Sequence, residues 1–291
     1  MEAFNFLQPE NIPELYKFLD EYPSAAIIAG GTDVLPKIHN GLLKPETIID
    51  ISLVDELNFI EEDEGWIQIG ALNTFTRIID HPALQRFIPA LVQASRLIGA
   101  PMTRARGTLG GNIANASPAA DTLPPLLVYD TRIRLSSSKG ERKMQLRDFL
   151  LGPGSTNLKS NEVIHSISFP KPDGNWGSAF IKIGPRRGMT ISIANIAAFV
   201  QLSVEKYIQK ARIALGAVAP TAIRCPKTEP YFEGKRPDDI YWQAASSICF
   251  SEISPIDDIR GSKTYRLHIS NVLLKRVFLT SVEIADQRFS K

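Results

Sequence analysis

The chain has little cysteine and almost no charge bias. Cys225 and Cys249 are its only two cysteines in 291 residues, and no Cys-x-x-Cys pair exists to hold zinc or an iron–sulfur cluster. Buried free thiols are the expected state of both, and so low a cysteine content fits a reducing, cytoplasmic setting. His39, His81, His165 and His268 are scattered without metal-ligand spacing, so no metal site is expected. Net charge is +2, from 33 basic and 31 acidic residues. That balance gives no excess to drive binding to nucleic acid or to an anionic membrane. No apolar run reaches the roughly 18 residues of a membrane span, and Met1–Phe6 lacks the basic region and apolar core of a signal peptide. No Gly-x-Ser-x-Gly elbow occurs, and no Ser, His and Asp can be grouped as a hydrolytic triad. That absence fits a protein whose chemistry resides in a cofactor that it binds, orients and tunes.

What is present is the composition of an ordinary globular protein, with 44% hydrophobic and 22% charged residues. The length suits two modest domains or one large one. Two glycine-bearing stretches stand out. The first is Ala29-Gly30-Gly31-Thr32-Asp33, which follows the apolar run Ala25–Ala29 and precedes the helical Val34–His39. Strand, glycine loop and helix in that order present backbone amides to phosphate in many folds. The spacing is not that of a Rossmann fingerprint, and the Lys-Ser/Thr of a P-loop is missing. The second is Thr108–Asp121, a stretch with Gly110, Gly111, Asn112, Asn115 and Asp121. Paired glycines let a backbone approach a ligand closely, while the carboxamides and the acid can bond phosphates and hydroxyls. The same residues also suit a tight turn between two buried elements.

Taken together, the two stretches resemble the paired FAD-binding loops of the flavoprotein subunits of molybdenum hydroxylases, such as those of xanthine dehydrogenase and carbon monoxide dehydrogenase. The resemblance runs nearly end to end. Phe149–Glu162 is similar to the family's Gly…Thr-x-Leu…Glu segment, and Phe180–Arg186 to its Phe-x-Lys-x-Gly stretch. Leu215–Arg224 and Arg260–Arg266 look like its two C-terminal signatures. The resemblance implies FAD as the cofactor, with Ile28, Ala29, Gly30, Gly31, Thr32 and Asp33 on one side of its diphosphate. Gly110, Gly111 and Asn112 would approach from the other side. Thr108 and Asn115 would bond the phosphate or ribityl region, and Asp121 the polyol. Ile98 would lie near the flavin ring, with Lys182 reaching the same region, and Leu158 would also bind the cofactor. Ala105 departs from the family, whose members often carry asparagine there. Arg104 and Arg106 can attract phosphate or form structural ion pairs.

The fold that the resemblance implies is α+β. A two-subdomain FAD-binding domain of the vanillyl-alcohol-oxidase/PCMH type, residues 1–172 divided near 55, precedes a smaller α+β domain, residues 173–291, with an antiparallel sheet and helices. The residue pattern agrees. It predicts helices at Asn11–Glu21, Val34–His39, Thr74–Asp80 and Pro82–Ile98, the last kinked or split at Pro89. Strands are expected at Ala25–Ala29, Thr47–Ile51, Gly65–Gly70 and Val163–Phe169, and as a pair at Leu126–Asp130 and Arg132–Ser136. Gly99–Arg106 reads as a connector. Lys171–Asn175 is the best linker. Beyond it come strands at Ser178–Ile183, Ile193–Val204 and Ala211–Val218, then helices at Trp242–Phe250 and Lys263–Leu279.

By resemblance, the chain is the FAD subunit of a molybdenum hydroxylase with two partners, a large molybdopterin-binding subunit and a small 2Fe-2S subunit. Electrons from the partner's clusters would reach FAD and then an external acceptor such as NAD. The loop Gly184–Thr190, with Arg186 and Arg187, is placed to meet that acceptor's phosphates. A stand-alone flavin oxidoreductase and a nucleotide-binding module without turnover are the alternatives.

Overall fold

The computed structural model describes residues 4–186 and 188–289; Arg187 lies outside them. The chain opens with β1 (Asn5–Leu7), α1 (Ile12–Glu21), β2 (Ala26–Ile28), α2 (Val34–His39) and β3 (Thr47–Asp50). These strands form a parallel sheet in the order β1-β3-β2. Asn11 starts α1 by accepting the Glu14 amide on Oδ1 at 2.9 Å, with Pro13 in the first turn. Leu15 and Leu19, one turn apart, pack with Ile49, Ile51 and Val54 into a small core.

A second, antiparallel sheet follows, in the order β4-β5-β10-β6-β7. Its strands are β4 (Ile60–Glu62), β5 (Trp66–Gly70), β6 (Arg132–Ser137), β7 (Gly140–Gln145) and β10 (Val163–Pro170). The small hairpin β8 (Leu150–Gly152) and β9 (Ser155–Thr156) lies between the last two in sequence. Between β5 and β6 run six short helices: α3 (Phe75–Asp80), α4 (Pro82–Phe87), α5 (Pro89–Arg96), α6 (Pro101–Arg106), α7 (Leu109–Asn115) and α8 (Leu123–Val128). A further turn of helix, α9 (Leu146–Phe149), follows β7.

Three readings of the sequence need correction in this region. The expected strand at Leu126–Asp130 is helix α8, with Pro124 and Pro125 in its first turn, where proline's missing N–H costs nothing. Every α8 residue is buried, so no amphipathic period marked it as a helix. The connector Gly99–Arg106 contains α6, opened by Pro101. The second glycine stretch is a helix over its first half rather than a loop. Thr108 caps α7, and Ala116, at φ 44°, ends it in the left-handed region. The split expected at Pro89 is present, dividing α4 from α5.

The third sheet is antiparallel, in the order β11-β12-β13-β14, from Asn175–Ile183, Ala194–Leu202, Ile208–Gly216 and Ile223–Arg224. Helices α10 (Glu229–Phe232), α11 (Trp242–Phe250) and α12 (Lys263–Phe289) follow, and α12 runs ten residues beyond its expected end at Leu279. It packs along β11 and β12. Gly177 on β11 admits the helix backbone closely, since a Cβ there would strike the Ser281 carbonyl. The two halves of the chain share core. Tyr129 from the end of α8 meets Phe169, Trp176 and Phe199 edge-on, and its hydroxyl lies 2.7 Å from Ser178 Oγ. Burial pushes that phenol's pKa well above its ordinary value, so it stays protonated.

Candidate functional site

A cleft of about 650 Å³ separates the first small sheet from the α6–α7 region, within the size range of small-molecule sites. Its first wall is built by β2. Strand alternation turns Ile27 and Ala29 to the cleft and leaves the buried Ile28 off its lining. The chain then turns at Gly31, whose φ of 71° is open to glycine and costly for other residues. Among the described residues, the amides of Gly30, Gly31, Thr32 and Asp33 donate to no protein acceptor. Four successive free N–H groups on the edge of a cleft make a nest for an anion.

The opposite wall is α7, and it is built differently. Thr108 Oγ1 accepts the Gly111 amide at 3.1 Å. The Leu109 amide goes to Asn73 O, that of Gly110 to Ala71 O and that of Asn112 to Thr108 O, at 3.0, 2.9 and 3.0 Å. The helix start has therefore spent its donors, and it offers the cleft side chains and bare Cα surface. The paired glycines serve two purposes. A Cβ on Gly110 would sit 2.6 Å from Ala71 Cβ and 2.8 Å from its carbonyl oxygen, so Gly110 lets the helix pack on the backbone after β5. A Cβ on Gly111 would meet only Thr108 Oγ1, at 2.9 Å, and otherwise occupy cleft space.

The walls touch at two points. A side chain on Gly30 would collide with the Arg106 carbonyl at the end of α6. Lys37 on α2 reaches across, its ammonium 2.5 Å from Asp33 Oδ2 and 2.8 Å from Asn115 Oδ1. Lys37 was not singled out in the sequence. Its signal was the i,i+4 spacing from Asp33 on one helical face.

The rest of the lining is largely apolar, with Ile98, Leu158 and Ile191 among it. Each is held by polar groups behind it. Arg104 donates to the carbonyls of Ile98 and Gly99 at 3.0 and 3.2 Å, so it organises a turn and is spent there. Glu162 accepts Arg142 Nε and Nη2, both at 2.8 Å, and the Lys159 amide at 2.9 Å. Arg142 also binds Asn157. This pair, half-buried at Arg142 and buried at Glu162, pins the segment carrying Leu158, and the arginine holds the Glu162 carboxyl below its ordinary pKa.

All the site residues expected from sequence line the cleft except Ile28, Asp121 and Lys182. Asp121 and Lys182 are buried against one another, outside the lining. Asp121 Oδ2 accepts Lys182 at 2.6 Å, and Oδ1 accepts Ser192 Oγ at 2.6 Å and Asn195 Nδ2 at 2.9 Å. Lys182 also donates to the carbonyls of Leu97 and Thr190, at 3.0 and 3.1 Å. Its three donors are thus used within the protein.

The residues that line this cleft, Ile191 apart, fall within one family match. Residues 2–172 match the model described as the FAD binding domain in molybdopterin dehydrogenase. The chain belongs to this family of FAD-binding subunits. Residues 179–281 match the CO dehydrogenase flavoprotein C-terminal domain. The chain is 33% identical over 276 residues to the xanthine dehydrogenase FAD-binding subunit of Escherichia coli O157:H7, covering 94% of each protein. It is 30% identical over 292 residues to the nicotinate dehydrogenase FAD-subunit of Eubacterium barkeri, covering 99% of this chain and 98% of that one. A chain of the carbon monoxide dehydrogenase of Hydrogenophaga pseudoflava superposes with a TM-score of 0.93 at 29% identity, covering 97% and 98% of the two chains. A chain of the quinoline 2-oxidoreductase of Pseudomonas putida 86 gives 0.91 at 29% identity, covering 98% of each.

The chain is thus an FAD-dependent oxidoreductase subunit. Its cleft fits the cofactor's chemistry. Free amides suit a diphosphate, bare Cα surface at Gly111 leaves room for it, and the apolar lining suits a ring. No described helix is long and apolar enough to cross a membrane.

Proposed function

We propose that this flavoprotein subunit works in a complex with a large molybdopterin-binding subunit and a small 2Fe-2S subunit. FAD, when bound, supplies the redox chemistry, taking electrons from the partner's iron–sulfur clusters and giving them to an external acceptor such as NAD. The amides of Gly30–Asp33 hold the diphosphate, with Thr108, Gly111, Asn112 and Asn115 facing them. Ile98, Leu158 and Ile191 border the ring. Asp121 and Lys182 act from outside the lining as positioning residues, because Lys182 binds the carbonyls of Leu97 and Thr190, each followed by an isoleucine of the cleft.

The observation that carries the reading is a cleft that combines the free amides of Gly30–Asp33 with a largely apolar lining. That lining reaches solvent at Ile191, which is 55% exposed. A ring seated there is accessible to a second redox molecule.

Purification from the native organism tests the proposal. The expected product is a yellow complex of three different chains that reduces NAD. A flavin-loaded chain that purifies alone and turns over its own substrate would instead establish a stand-alone oxidoreductase.

A further inference from the structure

Lys37 and Asp33 are the only charged side chains lining the cleft among the described residues. They neutralise one another at 2.5 Å, directly beside the four free amides of Gly30–Asp33. A diphosphate in that nest brings two negative charges next to the Asp33 carboxylate. Four neutral amides cannot cancel both that charge and the aspartate's. Like charges a few ångströms apart repel unless a cation lies between them.

Lys37 is placed to be that cation. Its side chain is 43% exposed, so its present ion pair is solvated and costs little to rearrange. Its ammonium carries three protons, and the structure engages two acceptors, Asp33 Oδ2 and Asn115 Oδ1. A flexible four-carbon stem lets it reorient without moving backbone.

We infer that Lys37 is the charge-compensating residue for the cofactor's diphosphate. It screens Asp33 and shares its ammonium with a phosphate oxygen when the cofactor enters. The bond to Asn115 holds the ammonium across the cleft until then. The inference rests on the placement of the diphosphate at residues 30–33, and the experiment separates the two.

The test uses the full chain stripped of flavin, with FAD and riboflavin binding followed by fluorescence quenching. Riboflavin shares the ring and lacks the diphosphate. Lys37→Met is expected to weaken FAD about ten- to a hundredfold, the value of a charge-assisted hydrogen bond, and riboflavin less than about threefold. Raising salt from about 0.05 to about 0.5 M should weaken FAD binding more in the unaltered chain than in the variant. Lys37→Arg should recover most of the affinity, and Lys37→Gln should repeat the Met result if the latter does not fold. Unchanged FAD affinity in K37M overturns the inference. So does an equal loss for FAD and riboflavin, which would make Lys37 a tie between the walls for any flavin. Gly31→Val is the control for the underlying placement. If it keeps FAD affinity, the diphosphate lies elsewhere and both ideas fall; if it loses FAD while K37M does not, only the lysine's role falls.

Discussion

The Lys182 ammonium lies 2.6 Å from Asp121 Oδ2, with both side chains more than nine-tenths buried. It is an ion pair between the turn just before α8 and β11, so it joins the two halves of the chain. Lys182→Met leaves the Asp121 carboxylate buried with only Ser192 and Asn195 as donors. Losing one partner of a buried pair costs about 3–5 kcal/mol. Urea unfolding should show a loss of that order, and adding Asp121→Asn to K182M should recover part of it. Equal stabilities for K182M and the unaltered chain would show that the pair contributes no net stability.

Gly111→Val should abolish flavin retention while leaving the chain folded. Gly111 is helical and has no positive φ, so the effect comes from filled space rather than backbone strain. Flavin content after gel filtration and a thermal melt check this together. Gly110→Val is the contrasting case. Its side chain would meet the Ala71 backbone, and it should cost folding itself.

Stability should fall as pH drops below about 6.5. His165 is buried with no partner for Nδ1 among the described residues, and burial, aided by Arg134, lowers its pKa from the ordinary 6.5. The unfolded chain therefore takes up a proton at pH values where the folded chain does not. The stabilising contribution is complete above pH 6.5 and is lost as pH falls through the folded value. His81 shifts the same way, again mainly through burial. Chemical denaturation at several pH values should give a slope that His165→Gln reduces; an unaltered slope would exonerate His165.

Arg186 bears on the acceptor. Its Nη2 donates to the Met189 carbonyl at 2.6 Å, so it shapes the turn of its own loop, and its side chain remains at the surface. In the assembled complex, Arg186→Ala should raise the KM for NAD several-fold while turnover with a small dye persists. A parallel fall in both activities would place the arginine in assembly or flavin binding.

The legible parts of the sequence were those with a periodic or positional signature. Alternation marked Val163–Phe169, and apolar residues at helical spacing marked α1. Glycine pairs and the segments around them located the cleft. Hidden features had other causes. Helix α8 is buried on every side, so its apolar run carried no period. The free amides of Gly30–Asp33 and the spent amides of α7 look alike in sequence, since both sets contain paired glycines. Which set is free depends on Ala71 and Asn73 some 40 residues away in the chain, whose carbonyls accept the α7 amides. Lys182 carried a flavin-facing expectation, yet its three acceptors come from separate parts of the chain. Long-range pairing of that kind leaves no local mark.

The interlocked aromatics at the junction of the two halves have a practical consequence for anyone dissecting this subunit. Lys171–Asn175 looks like a place to cut, being rich in turn residues. Cutting there would bisect a single hydrophobic core, in which Tyr129 and Phe169 lie upstream and Trp176, Phe180 and Phe199 downstream. An isolated N-terminal fragment would bare the apolar face that those three rings cover, and such a face favours aggregation over solubility. The two halves are better obtained by co-expression, as complementing pieces that fold onto each other, than as separately purified modules.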